Sequence, residues 1–257
     1  MARPEFRWVD EPTGAVLEPG ATVMTSFPSA GLAATVAAHY IVRTLGLPRI
    51  GAIESPDTPP IAVVQSGHVQ PPVRVYGRKD IALVLSEFPP RSDSAGPIAQ
   101  EVLAGAVARK ARRLIALEGV VPHPVLADEG EGEEAVWFAG PEPGTELATG
   151  LRLAQARPLD EGVIGGVSGA LLVASLRSAI PVAVLLVSAR AEGFPDHRAG
   201  ALLIETIDRL LPEVTIDTGP LRSQAEEIEQ ALRAAMQKAT RGSGGEAPDR
   251  LEPTIYQ

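Results

Sequence analysis

Continuous apolar runs rich in β-branched residues alternate along the chain with segments whose apolar positions recur every three or four residues. The runs Ala21–Ser26, Ile61–Gln65, Val73–Tyr76, Ile81–Ser86, Arg113–Leu117, Val182–Ser188 and Val214–Asp217 read as strands. The 134–139 segment, Glu-Ala-Val-Trp-Phe-Ala, adds a further candidate. Helical periodicity covers Gly31–Leu45, Pro97–Arg112, Gly144–Ala156, Gly169–Ser178 and His197–Leu211. Strands alternating with helices predict an α/β fold with a largely parallel central sheet, and runs as apolar as Ala183–Val187 predict burial on both sheet faces.

The pattern changes at Pro220. Leu221, Ile228, Leu232 and Met236 recur at helical spacing among charged residues, which predicts an amphipathic helix over 220–240. Residues 241–253 are rich in glycine, proline and polar residues and read as a flexible linker with an r.m.s. span of about 20 Å. The chain then runs Thr254-Ile255-Tyr256-Gln257, which sets an aliphatic residue and an aromatic beside the last residue. The expected organisation is an α/β domain over 1–219, a helix over 220–240 and a tail over 241–257.

Of 257 residues, 45% are hydrophobic, 21% charged and 4% aromatic, a mix that supports one sizeable core. The net charge of −9 opposes nucleic acid and anionic membranes, and Arg109, Lys110, Arg112 and Arg113 read as the dipole-complementing end of a helix. Cysteine is absent, so disulfides and thiolate chemistry are excluded, and the expected location is cytoplasmic. The first twenty residues lack the apolar stretch of a signal peptide, and Ala179–Ala189 is too short to span a bilayer.

Chemistry-bearing motifs are sparse. Gly162, Gly165, Gly166 and Gly169 do not satisfy a dinucleotide fingerprint, and no lysine lies between Lys110 and Lys238 to complete a phosphate loop, so no cofactor or metal is expected. Gly166-Val167-Ser168-Gly169-Ala170 misses the nucleophile elbow by one position and reads as a helix start. The acidic run Asp128–Glu134 lacks calcium-loop spacing. Three phenylalanines precede proline, in Phe27-Pro28, Phe88-Pro89 and Phe194-Pro195, each just after an apolar strand. Strand carboxyl ends are where open α/β sheets bind ligands, so Ser26, Glu87, Glu192, Asp196 and His197 are candidates to share a crevice. That is the enzyme alternative, an activity on a small molecule using Glu87, Asp196 and His197.

The run Ser26-Phe27-Pro28-Ser29-Ala30-Gly31-Leu32, followed by the small-residue helix Ala33–Tyr40, resembles the archaeal proteasome assembly chaperone family. The likeness continues through Pro59-Pro60, Gly67, Tyr76, Ser86-Glu87, Leu117-Glu118-Gly119, Gly162–Gly169, Pro195-Asp196, Ala199, Ala201 and Asp217, and so covers about residues 20–235. It departs at Ser26, where a glycine is common in the family. The resemblance implies a three-layer α/β/α sandwich similar to nucleoside phosphorylases, used without catalysis for protein binding in a homo-oligomer. It also implies a partner. The hydrophobic-Tyr-any ending Ile255-Tyr256-Gln257 looks like the motif that docks between α-subunits of the 20S proteasome, so these three residues are the expected partner-binding site.

Overall fold

A computed structural model describes residues 5–12, 17–55, 60–121, 135–190, 195–211 and 214–227. The strands are β1 (Arg7–Asp10), β2 (Thr22–Ser26), β3 (Arg49–Glu54), β4 (Val63–Gln65), β5 (His68–Gln70), β6 (Val73–Arg78), β7 (Ile81–Ser86), β8 (Arg113–Val120), β9 (Val136–Ala139), β10 (Arg157–Pro158) and β11 (Val182–Ser188). Between them run the helices α1 (Ala33–Thr44), α2 (Ala95–Ala108), α3 (Glu146–Leu153), α4 (Gly166–Ser175) and α5 (His197–Leu210).

Nine strands form one mixed sheet in the order β1-β3-β6-β7-β2-β8-β11-β9-β10. The expected parallel pairing holds at its centre, where β7, β2, β8 and β11 run together. Both flanks reverse it, because β6 joins β7 through the tight Lys79-Asp80 connection and β9 pairs antiparallel with β11. Every residue of β2, β7 and β11 is buried, which is why these strands read as unbroken apolar runs.

Alternation along the strands sorts the core into two clusters. Met24, Leu83, Leu85, Ile115, Leu117 and Leu185 pack against α1, α3 and α5, whereas Val23, Val84, Leu114, Ala116 and Val184 pack against α2 and α4. Helices therefore cover both faces.

Several expected elements move for local reasons. Helix α2 begins at Ala95, two residues before Pro97, since proline is tolerated in a first turn that has no internal N–H partner to lose. Helix α4 begins at Gly166 rather than Gly169. The run Ile61–Gln65 yields only the short β4, which pairs with β5 in a separate hairpin. Val214–Asp217 is not a strand: the Ile216 N–H donates to Asp208 Oδ1 at 2.8 Å and Tyr40 donates to the Asp217 carbonyl at 2.7 Å, so the segment is strapped along α5 and α1. Residues 219–227 are helical, and Arg222 clamps Glu205 of α5 through two hydrogen bonds of 2.6 and 2.8 Å. The chain thus leaves the described body on the α1/α5 side. The remainder of the expected C-terminal helix, the tail and the acidic 128–134 run lie outside the described residues.

At the carboxyl ends of β2 and β8 two backbones touch. A Cβ on Gly119 would fall inside the contact radius of the Ala30 carbonyl oxygen, and the Gly119 N–H donates to Ser29 Oγ at 2.9 Å. Replacing Gly119 with alanine is expected to lower stability by about 2–3 kcal/mol, since the Ala30 carbonyl on that side is main chain and cannot rotate away. Urea unfolding monitored by circular dichroism checks this.

Candidate functional site

Strands β2 and β7 are neighbours and parallel, yet the helix after β2 lies on one face of the sheet and the helix after β7 on the other. This divergence of connections opens the place where α/β sheets hold ligands. The Phe-Pro turns expected at strand ends flank it, with Ser26-Phe27-Pro28 leaving β2 and Ser86-Glu87-Phe88-Pro89 leaving β7. Ser86 closes its own turn, accepting from the Phe88 N–H at 3.1 Å and donating to the Phe88 carbonyl at 3.0 Å.

One cross-sheet row runs Arg74, Leu85, Ser26, Leu117. Leu85 and Leu117 belong to the α1-side cluster, so their row-mates Arg74 and Ser26 face α1 as well. Arg74 is fully buried, an expensive position for a guanidinium unless a carboxylate meets it. Glu87 does so in an ion pair, and the Pro71 carbonyl accepts from Arg74 at 3.3 Å. Glu87 also meets His39 Nε2 of α1 at 3.0 Å. Burial pushes the Glu87 carboxyl up, but hydrogen bonds from His39 and Arg74 outweigh it and hold the group below the usual carboxylate range. Glu87 is therefore ionised at neutral pH.

A second polar pair sits across β2. Ser168, buried in the first turn of α4, donates to Glu118 Oε2 at 2.6 Å. Burial pushes the Glu118 carboxyl up to about 7, and the Ser168 hydrogen bond offsets only part of that.

The residues of the enzyme alternative are not gathered. Asp196 caps α5, its two carboxylate oxygens taken by the N–H groups of Ala199 at 2.9 Å and Arg190 at 3.0 Å. His197 is half-buried, with Nδ1 3.0 Å from the Pro195 carbonyl. Glu87 pairs with Arg74 and His39 instead, and Glu192 and Phe194 lie outside the described residues, as do Ile255, Tyr256 and Gln257. Among the described residues no cluster of His, Asp and Glu has the arrangement of a metal site, and no helix is long and apolar enough to cross a membrane.

Sequence reasoning missed His39, Arg74 and the Glu118–Ser168 pair. Arg74 alternates with valines in Val73-Arg74-Val75, which reads as one solvent-facing position on a strand. His39 stands alone on a small-residue helix. No signal in the sequence joins either to Glu87.

The remaining helical surface has an unusual composition. Helix α4 carries no charged residue, and the single one on α2, Glu101, is turned inward to accept from the Trp8 N–H at 2.7 Å. The outer side of the α2/α4 layer exposes Val173 at 70% and Leu176 at 83%.

A model described as PAC2 family matches residues 23–236. An uncharacterized protein of Methanocaldococcus jannaschii is 26% identical over 212 residues, 82% of this chain and 83% of that one. The crystal structure of Pyrococcus furiosus PbaA, described as an archaeal homolog of proteasome-assembly chaperone, superimposes with a TM-score of 0.79 at 25% identity, covering 93% of this chain and 94% of the other. Pyrococcus furiosus PbaB, described as an archaeal proteasome activator, shares the fold with a TM-score of 0.71 at 19% identity over 92% of this chain and 100% of the other.

Stability should depend on pH through Glu118. Its folded value lies above the ordinary carboxylate value, so the contribution is present at low pH and is lost as pH rises through about 7. Between about pH 5 and about pH 8 the wild type is expected to lose about 2–3 kcal/mol relative to Glu118→Gln, as measured by urea unfolding of both proteins.

Proposed function

The chain belongs to the PAC2 family, and from that premise we propose that it is a non-enzymatic proteasome assembly chaperone or adaptor, which self-associates and engages the α-ring of a 20S proteasome through Ile255-Tyr256-Gln257. The observation that carries the reading is the likeness to PbaA along nearly the whole of both chains. On this reading the sheet with helices on both faces is a three-layer α/β/α sandwich acting as a rigid scaffold, in the cytoplasm and without a cofactor.

Two features of the body favour it. The loops that a catalytic crevice would need are occupied by structural duties: Asp196 caps α5, and the Ser29–Leu32 turn is seated on Gly119. The charge-poor α2/α4 layer has the composition of a surface that is covered in the working assembly, because exposed valine and leucine cost free energy in water. We assign self-association to this layer. The last described helical residues pack against α5, on the face of the sheet opposite the α2/α4 layer.

A tyrosine docked in a pocket contributes apolar area and a hydroxyl while ordering few rotors. Replacing Tyr256 with alanine is expected to weaken binding to a purified 20S core by about 2–4 kcal/mol per tail, or roughly 30- to 1000-fold. Surface plasmon resonance with immobilised core measures this. Binding as tight as wild type would show that the tail is not the docking element. Independently, Val173→Glu combined with Leu176→Glu should convert the oligomer to a folded monomer in light scattering; an unchanged mass would remove α4 from the interface.

A further inference from the structure

A groove and a fully exposed valine lie next to each other at the amino end of α4. The groove, about 650 Å³, runs between α2 and α4; Gly96, Gly169 and Ala170 line it, with Ile164 before α4 and Leu176 and Arg177 beyond its carboxyl end. The 159–164 connection is fixed at both ends. The Leu159 N–H donates to the Phe138 carbonyl of β9 at 2.8 Å, and the Ile164 carbonyl rests against Gly169, where no Cβ fits. Between these anchors Val163 is fully exposed, and Val173 and Leu176 continue the exposed apolar positions along α4. Holding three branched aliphatic side chains in water on one element costs free energy that a covering surface would recover.

The charges select what covers it. Asp160 and Glu161 are exposed before α4 and Arg177 is exposed just after it; among the described residues none of the three side chains makes a hydrogen bond or ion pair. Ten uncharged helical residues, about 15 Å of rise, hold the acids and the base too far apart to pair within one chain. A two-fold axis normal to α4 near Ala170 brings the matching features together. The helices of two copies then run antiparallel, with each acidic connection over the other copy's Arg177. Each Val163–Ile164 end meets the other copy's Leu176, and each Val173 faces the other's Gly169–Ala170 segment. One face serves both copies, as a closed dimer requires, and the helix dipoles oppose. With a net charge of −9 on each chain, two copies approach best through a face whose own charges pair off across the axis.

We propose that α4 pairs antiparallel with α4 of a second copy, seating Val163 of each chain at the Leu176 end of the other's groove and pairing Asp160 and Glu161 with the other's Arg177. This rests on the assignment of self-association to the α2/α4 layer and adds the occupant of the groove, its register and its charge pairing.

The absence of cysteine makes the register directly readable. In the full chain carrying Val163→Cys and Arg177→Cys, a disulfide within one chain is excluded, because the positions lie beyond opposite ends of a helix about 15 Å long and a disulfide needs Cα atoms within about 7 Å. Mild oxidation is expected to give a covalent dimer of the double variant on non-reducing gels, and monomer for either single variant. Arg177→Glu should weaken self-association about fivefold in analytical ultracentrifugation, and adding Asp160→Lys and Glu161→Lys should restore it. The antiparallel arrangement is overturned by a double variant that does not cross-link, by single variants that cross-link equally well, by a ladder of higher multimers that marks head-to-tail contact, or by reversed charges that fail to restore association. The two readings separate through Val173→Glu with Leu176→Glu: if that variant is monomeric while the cysteines do not cross-link, self-association through α4 stands and this register falls. If its mass is unchanged, both fall.

Discussion

The molecule is organised around a place where main chain meets main chain without a side chain between. After β2 the chain turns over the end of β8, with the Ala30 carbonyl seated against the Cα of Gly119 and the Gly119 N–H held by Ser29. Gly31 in the same turn has φ +58° and would place a Cβ 2.7 Å from the Arg190 carbonyl oxygen and 3.0 Å from Asp196 Cβ. The Asp196 N–H in turn donates to the Gly31 carbonyl at 2.7 Å. Three strand ends, those of β2, β8 and β11, are thereby locked together, and α1 and α5 are launched from fixed positions. Much of the carboxyl edge is consequently closed by backbone.

Beyond this lock, the helices that follow β2 and β7 part to opposite faces of the sheet. The chain places the Arg74–Glu87 ion pair there. A fully buried arginine is costly, and a protein that needed only stability could fill the position with an apolar residue. Arg74, paired with Glu87 and braced by His39, is the one charged residue on a row that continues through Leu85, Ser26 and Leu117. Glu118 is different: among the described residues its polar support is Ser168, and its burial makes folding sensitive to pH near neutrality.

The centre of the fold was legible because strands buried on both faces must be continuously apolar. Val182–Ser188 and Ile81–Ser86 match the structure residue for residue. The edge was not. In Arg7–Asp10 only Trp8 is buried, so the strand reads as polar, and Arg49–Glu54 is interrupted by Gly51, where β1 passes too close for a side chain. Val214–Asp217 shows the opposite error, since β-branched residues satisfied their backbone on side chains of α5 and α1 rather than on a ladder. Phe27-Pro28 and Phe88-Pro89 located the carboxyl edge correctly, but they did not reveal which residues meet there. Contacts such as His39 with Glu87 join positions far apart in sequence, and a single chain without periodicity between them carries no trace of the pairing.

On the proposed reading, a rigid, self-associating body presents a docking tail to a proteasome. Hydrogen exchange of a purified archaeal 20S core, with and without this protein, tests it most directly. Slowed exchange is expected in the pockets between neighbouring α-subunits and in residues 254–257 of this chain, with both effects absent when the protein is truncated after Pro253. Unchanged exchange across the α-ring, or protection that persists with the truncated protein, would contradict it.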